Sequence, residues 1–592
     1  MAASPPQPIR PTSQSYPEPI WRQNMPAYLT GRFGQVALAF IIALAVLGQG
    51  LSVPFIKDAE PQSAQWIADI VDNGNWLLPK DYYHLVNRKP PLFYWLSALA
   101  CKVSRGHVDE LHARVVSLIA GAALAAEVMA WTAGRLGASV GWLAFVFLLG
   151  TYGFASRATV ALTDMLLTFL LFSISVVLMP QLQGADSWRR TMAAGVMLGL
   201  AVLTKGPLAV VLLALTILIY LLAIRANPLN LVLQSWPWVV LAFGIAVACA
   251  WYVPAFIAGR AANVGAVLFE ENVGHFLPMS AGGTGEAARP AYYIGLRIIG
   301  GAFPLSLLIP AVVLSSADFA ENVRRDLFYQ LAMALAVLVL FSIASAKRDD
   351  YILPALPPIA ILFAAQFSQS DGTDDGSRRL AARVRDAAVA GSAITLLVGI
   401  FVIFILGSGR GGLNLLSWRM ASSDQSYVVI LVNGITRLTP RFMMFLILVL
   451  AGAGVALAGV WYRRPLVSGG AFGLLCVAAS TLWIGTVKPM EAATRSVAKF
   501  AANVRTKVGI SAVYVAHPDP EFSWYFGRGV PVVPRSIAVS GPSPGVKTFF
   551  VARPSDLATI GPSVRTHLRL VMASQVQGSG GPPSLYLFEA AK

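Results

Sequence analysis

Charge is what this sequence has least of. Only 12% of its 592 residues are Asp, Glu, Lys or Arg, about half the share of an ordinary soluble domain. A soluble globular protein of this length is thereby excluded. Cysteine is nearly absent. Cys101, Cys249 and Cys476 all sit in apolar surroundings and form no CxxC pair, which excludes a disulfide framework and a cysteine metal site. The six histidines are scattered, with His84, His107 and His112 in one loop and His275 in another. No HxxxH or HExxH spacing occurs, so a dedicated zinc site has no basis. A Walker loop is missing too, and an ATP-driven pump would have no engine in this chain.

What is there is apolar. Hydrophobic residues make up 56% of the chain and the mean hydropathy is +0.64. Hydropathy predicts about thirteen spans, near 34–55, 113–133, 138–154, 162–181, 190–204, 207–224, 235–258, 296–316, 327–345, 351–368, 387–407, 442–461 and 467–486. The chain reads as a polytopic α-helical membrane protein. Residues 1–33 are rich in Pro, Ser and Gln and read as a disordered cytoplasmic tail. The first apolar run is long and lacks a small-residue cleavage site, so it reads as an anchor.

The net charge of +16 points to membrane topology rather than nucleic acid. With the N-terminus inside, every short inner loop carries arginine: Arg135, Arg189–Arg190, Arg225, Arg324–Arg325, the Arg378–Arg385 cluster and Arg463–Arg464. That satisfies the positive-inside rule, and anionic lipids attract the same residues. The other side receives the 56–112 loop, the 259–295 loop, "AKRDDY" at 346–351, the 408–441 loop and the tail from about 487. These loops are long and mix acids, bases, aromatics, Gly and Pro, so chemistry is expected there. In the tail, "RSVAKFAANVR" has helical spacing. "ISAVYVA", "VPVVP", "KTFFVAR" and "SLYLFEA" read as short strands, and Ser555 or Asp556 as a helix cap. Residues 487–592 therefore read as a small α/β domain on the outer side of the membrane, after a membrane domain over 34–486.

Candidate chemistry gathers in the outer loops. Asp58 and Glu60 follow the first span, either as interfacial acids or as a base or metal ligand facing a cavity. Asp69 and Asp72 read as the wet face of an amphipathic helix whose apolar face holds Trp66, Ile67 and Ile70. Asp164 lies at the edge of an apolar run and is a functional candidate by default. Its plain alternative is a salt bridge to Arg157. Lys205, in "LTKGP", is either a snorkelling lysine or a charge set at a helix break. With Arg88, Lys89, Lys347 and Arg348 it gives several cations on one face, suited to an anionic, membrane-bound substrate such as a lipid phosphate.

Eight motifs then run in order: Asp58/Glu60, "GNWLLP" at 74–79, "RKPPLFYW" at 88–95, "ARVVS" at 113–117, "LTDMLL" at 162–167, "LTKGP" at 203–207, "ENVGHF" at 271–276 and "KRDDYILPALP" at 347–357. This series resembles the aminoarabinose transferase and protein mannosyltransferase-like group of GT-C membrane glycosyltransferases. The resemblance covers about 35–370. It implies a GT-C fold in the bacterial cytoplasmic membrane. It also implies inverting transfer of a sugar from a polyprenyl-phosphate donor to a lipid, glycan or protein acceptor outside that membrane. By the same resemblance Lys89 matches the lysine that contacts the donor phosphate, with Lys205 and Tyr351 near that site. Asp58 or Glu60 matches the acidic motif of the first outer loop, and Asp164 the acid of the second. Arg88 and Lys347 join the donor-phosphate set. A divalent metal, if used, would fall to Asp58, Glu60 and Asp164. Two departures stand out. The first loop reads Asp58-Ala59-Glu60 where the family usually has adjacent Asp-Glu. His275-Phe276 stands where the family often has Arg-Phe. The resemblance thus speaks to the reaction class and leaves the sugar open. A transporter or flippase of lipid-linked sugars, and a non-catalytic envelope scaffold, are the competing classes.

Overall fold

In a computed structural model, the structure describes residues 31–56, 59–104, 106–270, 289–315, 319–368, 376–408, 440–509, 511–540, 547–553, 556–557, 562–574 and 585–590. Asp58, His275, most of the tail expected over 1–33, most of the 408–441 loop and the Ser555 cap lie outside them.

Every apolar run read from the sequence is helical, and the chain is a multi-pass membrane protein. Among the described residues, seven helices are long and apolar enough to cross a membrane. The count is eight if Tyr293–Gly301 and Leu305–Leu314, bent by 104°, form one span. Arg32–Leu47, Leu92–Ser104, Ala138–Gly150 and Leu208–Ala223 are apolar but short. Hydropathy alone cannot tell such a helix from a full span. At 1.5 Å per residue, a thirteen-residue helix such as Ala138–Gly150 reaches about 20 Å, against a hydrocarbon core of about 30 Å. The helix expected to end at 258 continues to Glu270.

One large core joins these helices, running from Ala39 to Ile484. Small residues let backbones close on each other. A Cβ on Gly195 would lie 2.6 Å from Phe243 Cβ, so helix Trp188–Lys205 meets helix Ser235–Glu270 at glycine contact. The opposite faces of the peripheral helices are apolar and open, as at Ile245, Phe256, Ile257, Met444 and Ile447. That pattern suits lipid as solvent.

A second core begins with Val497. Helix Ala498–Val508 packs there against a mixed sheet of order β1-β2-β4-β3. Strands β1 (Ala512–Val515) and β2 (Thr548–Ala552) are parallel. Strand β4 (Tyr586–Ala590) pairs antiparallel with β2 and with β3 (Leu568–Ala573). "VPVVP" contributes only an isolated bridge, Val515 to Val532. Its two prolines remove ladder donors. The third strand, β3, is one that hydrophobic alternation did not reveal.

Candidate functional site

The first loop is organised by its own carboxylates. Helix Ala59–Asn73 buries Trp66, Ile67 and Ile70. Asp69, on its wetter side, accepts from Lys80 N at 2.7 Å and Asn75 Nδ2 at 2.9 Å. Asp81 accepts from the backbone of Tyr83 and Leu85 at 2.9 Å. An antiparallel bridge, Lys80 to Val86, closes this excursion. Asn87 Oδ1 then accepts from Lys89 N at 2.9 Å. Pro90 and Pro91 forbid a helix through the turn, and helix Leu92–Ser104 starts directly after them. Trp95 Nε1 donates to Trp76 O at 2.6 Å. Arg88 is exposed and Lys89 half-buried.

Glu60 is at the foot of this loop and is wholly engaged. Arg114 grips it with two parallel bonds, Nε to Oε1 at 2.8 Å and Nη2 to Oε2 at 3.1 Å. Ala161 N adds a third at 2.9 Å. Arg114 also donates to Leu51 O and Val53 O and lies over the Phe55 ring at 4.9 Å. Burial pushes the Glu60 carboxyl up. The charge and hydrogen bonds of Arg114, with Lys488 and the Ala161 N–H, outweigh that and hold it below the usual carboxylate range.

The turn 156–164 is the hub that joins the site. Arg157 pairs with Asp350 at 2.5 Å. Lys488 Nζ donates to Thr159 O at 2.9 Å and Thr159 Oγ1 at 2.8 Å. Ser117 Oγ donates to Val160 O at 2.7 Å. Ala161 N reaches Glu60, and Asp164, which opens helix Asp164–Leu182, pairs with Lys205. The simple pairing of Arg157 with Asp164 is therefore not the one made. The turn between them aims the two side chains at different partners.

Lys205 ends its helix at Gly206, whose φ of 76° suits a residue without Cβ. Its ammonium binds Asp164 and lies 5.1 Å from the Tyr351 ring centroid. Tyr351 stacks on Phe341 at 4.4 Å. Lys89 and Arg348 are within electrostatic reach of Asp164. Asp164 thus has three bases around it. Lys347 points elsewhere: its ammonium donates to Arg289 O at 2.8 Å and to Ala344 O. Asp349 pairs with Arg297 at 2.7 Å and Arg289 at 3.5 Å.

The sequence reading did not single out Arg114, Lys488 or Asp350. A signal for Arg114 was present, since an arginine inside an apolar run needs a partner. Among the described residues, no group of three or more His, Cys, Asp or Glu side chains is placed to hold a metal. Glu60, one of the metal-ligand candidates, gives its oxygens to Arg114 and Ala161.

The chain is similar to known proteins in sequence and in fold. The dolichyl-phosphate-mannose-protein mannosyltransferase family matches residues 88–253, a stretch that takes in Arg88, Lys89, Arg157, Asp164 and Lys205. The undecaprenyl phosphate-alpha-4-amino-4-deoxy-L-arabinose arabinosyl transferase of Enterobacter sp. (strain 638) is 26% identical over 331 residues, 52% of this chain and 55% of that protein. Its namesake in Shewanella sediminis is 23% identical over 376 residues, 63% of this chain and 65% of that protein. The matches thus span less than two thirds of the length of either relative. The crystal structure of ArnT from Cupriavidus metallidurans bound to undecaprenyl phosphate gives a TM-score of 0.70 at 17% identity, covering 95% of this chain and 99% of that one. Its apo form gives 0.70 at 18% identity. The chain is thus aminoarabinose-transferase-like in sequence over about half its length, and its fold is the GT-C fold of ArnT.

Proposed function

We propose that this chain is an inverting glycosyltransferase. It moves a pentosyl or hexosyl group from a polyprenyl-phosphate donor to an envelope acceptor on the periplasmic face of the cytoplasmic membrane. The acceptor is lipid A, another glycolipid, a glycan or a protein. The observation that carries the reading is the convergence of Lys205, Lys89 and Arg348 on Asp164 beside Tyr351, in a chain with the ArnT fold. Asp350, which pairs with Arg157 and Arg348, lies beside this group, so Lys89, Arg157, Lys205 and Arg348 together outnumber the two acids, a balance that suits a phosphate.

In the reaction an acceptor oxygen attacks the anomeric carbon from the face opposite the phosphate. The bond to the phosphate oxygen breaks, and polyprenyl phosphate departs with one more negative charge. Lys89, Arg88 and Lys205 stabilise that charge as it develops. Asp164 holds Lys205 and contacts the sugar. A hydroxyl acceptor needs a base, whereas an ionised phosphate acceptor does not. Asp58 takes the role of base or of acceptor-orienting acid. Supporting this division, Glu60 already accepts three hydrogen bonds, so we assign it to fixing the loop. Lys347, held on two carbonyls, braces the 346–351 turn, and Arg348 takes the phosphate-facing place. His275 is assigned to the donor side in place of the family arginine. If the shorter apolar helices cross together with the long ones, as the hydropathy count of about thirteen requires, the N-terminus is cytoplasmic and the C-terminal domain periplasmic.

The test is mass spectrometry of envelope lipids from a deletion strain and its complemented parent. The expected result is an accumulating polyprenyl-phosphate sugar and an envelope glycan that lacks a sugar of the same mass. Transport of the lipid-linked sugar by the purified protein, without transfer, would replace this reading with a flippase. A C-terminal tag should be cut by protease added to the periplasmic side, and protection there would invert the topology.

A further inference from the structure

Helix Pro520–Phe526 belongs to two cores at once. Asp519 caps it, accepting from Phe522 N at 2.8 Å, and Gly527, at φ 85°, ends it. Phe522 and Phe526 are buried in the core of the C-terminal domain with Phe500, Val504 and Phe549. Trp524 packs against the core of the membrane domain, and Tyr525 against both cores. A short helix with one face in each core transmits position between them, because neither face can move without opening packed surface.

Among the described residues, the hydrogen bonds and ring contacts that this helix and its cap make across the boundary land on the first loop or its edges. Gln65 Nε2 donates to Pro520 O at 2.9 Å, while Gln65 Oε1 accepts from Tyr82 N at 3.0 Å. The Tyr83 hydroxyl is 2.7 Å from Ser523 Oγ and accepts from Asp519 N at 2.9 Å. Trp524 stacks on Tyr82 with centroids 6.4 Å apart. Tyr525 has a different place from these. Its hydroxyl accepts from Phe55 N at 2.7 Å and donates to Glu110 Oε1 at 2.8 Å. Glu110 is the first residue of the helix that carries Arg114. Burial and the Glu110 carboxylate push the Tyr525 phenol well above its usual range, so it remains a donor.

Leu51, Val53, Phe55 and Glu60 are therefore held from two sides. Arg114 takes Leu51 O, Val53 O and Glu60. Tyr525 takes Phe55 N. We propose that Tyr525, from the C-terminal domain, is a positioning residue for sugar transfer: it fixes Phe55 against the first turn of the helix that carries Arg114, and so holds the start of the first loop in register with the Arg114–Glu60 joint. The C-terminal domain is then a working part of the transfer site. This rests on the glycosyltransferase reading above, since it is that reading which gives the segment an acceptor-facing acid. Misplacement of such a group by about 1 Å costs on the order of 100-fold in rate.

The test compares two full-length variants in detergent or nanodiscs. Tyr525→Phe keeps the ring and removes both hydroxyl bonds. Ser523→Ala removes one bond from the same boundary, and Tyr83 keeps its bonds to the Asp519 backbone. Turnover is measured with a polyprenyl-phosphate sugar, and hydrogen–deuterium exchange is read on peptides covering 51–60 and 520–526. Tyr525→Phe should lower kcat by roughly 10- to 100-fold with donor KM within about twofold. Exchange should rise in 51–60 but not in 520–526. Ser523→Ala should match wild type in both measurements. Equal losses in both variants would show general domain docking and overturn the proposal, as would an unchanged kcat or unchanged exchange at 51–60 in Tyr525→Phe. A wild-type protein that transfers no sugar would remove the glycosyltransferase reading alone. The exchange comparison would still decide whether Tyr525 holds the segment.

Discussion

Glu60 and Asp164 are two acids paired with two bases, connected through one turn, yet built differently. The Glu60–Arg114 pair is sealed: its side chains are 7% and 0% exposed, and backbone groups take up the remaining bonds. The Asp164–Lys205 pair keeps 13% and 22% exposure and has Lys89, Arg348 and the Tyr351 ring around it. A sealed pair fixes backbone. A partly open pair with surplus cations can exchange partners when an anion arrives. On the proposed function the difference separates a joint from a working site, although both read in the sequence as acids at membrane edges.

The strongest way to break this comparison is Arg114→Ala. It leaves Glu60 buried without its counter-charge and should cost about 3–5 kcal/mol. Thermal unfolding and membrane yield would register that loss, and a wild-type melting curve would show that the joint is not structural. Lys205→Ala should behave in the opposite way. Lys89 remains within electrostatic reach of Asp164 and the pair is partly open to solvent, so the fold should survive while turnover falls on the order of 100- to 1,000-fold. Near-normal turnover in this variant, or in Lys89→Ala, would remove that lysine from the mechanism.

Acid should sharpen the contrast. The folded-state pKa of Glu60 lies below its unfolded value, so its stabilising contribution is complete above the unfolded carboxyl pKa of about 4.3. It declines below that and is lost as pH falls through the folded value. Melting temperatures should therefore drop more steeply with acidification in wild type than in Glu60→Gln. Parallel curves would mean that the ion pair contributes nothing. The smallest effect is expected at Asp69, which organises the first loop from its wetter side. Asp69→Ala removes bonds to Lys80 N and Asn75 Nδ2 and should cost roughly 0.5–1.5 kcal/mol per bond, measurable as a modest shift in melting.

Much of this site could be read in the sequence, and the unread part has a common cause. Lys205 stands out because an ammonium followed by Gly-Pro interrupts an apolar run. Asp164 stands out because a carboxylate at a span edge is costly. Their pairing with each other, 41 residues apart, does not show. Arg157 offers a nearer partner in sequence, and only the turn at 156–163 sends it to Asp350 instead. The role of Glu60 was open for the same reason. Arg114 lay inside the quoted motif "ARVVS", but which acid it grips depends on how the first loop returns to the bundle.

Sequence by itself determined the local quantities. Hydropathy and run length made the chain a membrane protein and put helices in the right places. Arginine in the short loops suggested which end carries the chemistry, and Gly and Pro set the breaks at 90–91 and 206–207. Only the tertiary structure decided the pairings. Tyr525 meets Phe55 across 470 residues and Glu110 across 415, and no periodicity records such a distance. A backbone carries its own hydropathy wherever it folds. An ion pair or hydrogen bond exists only where two distant segments are brought within about 3 Å with the right direction.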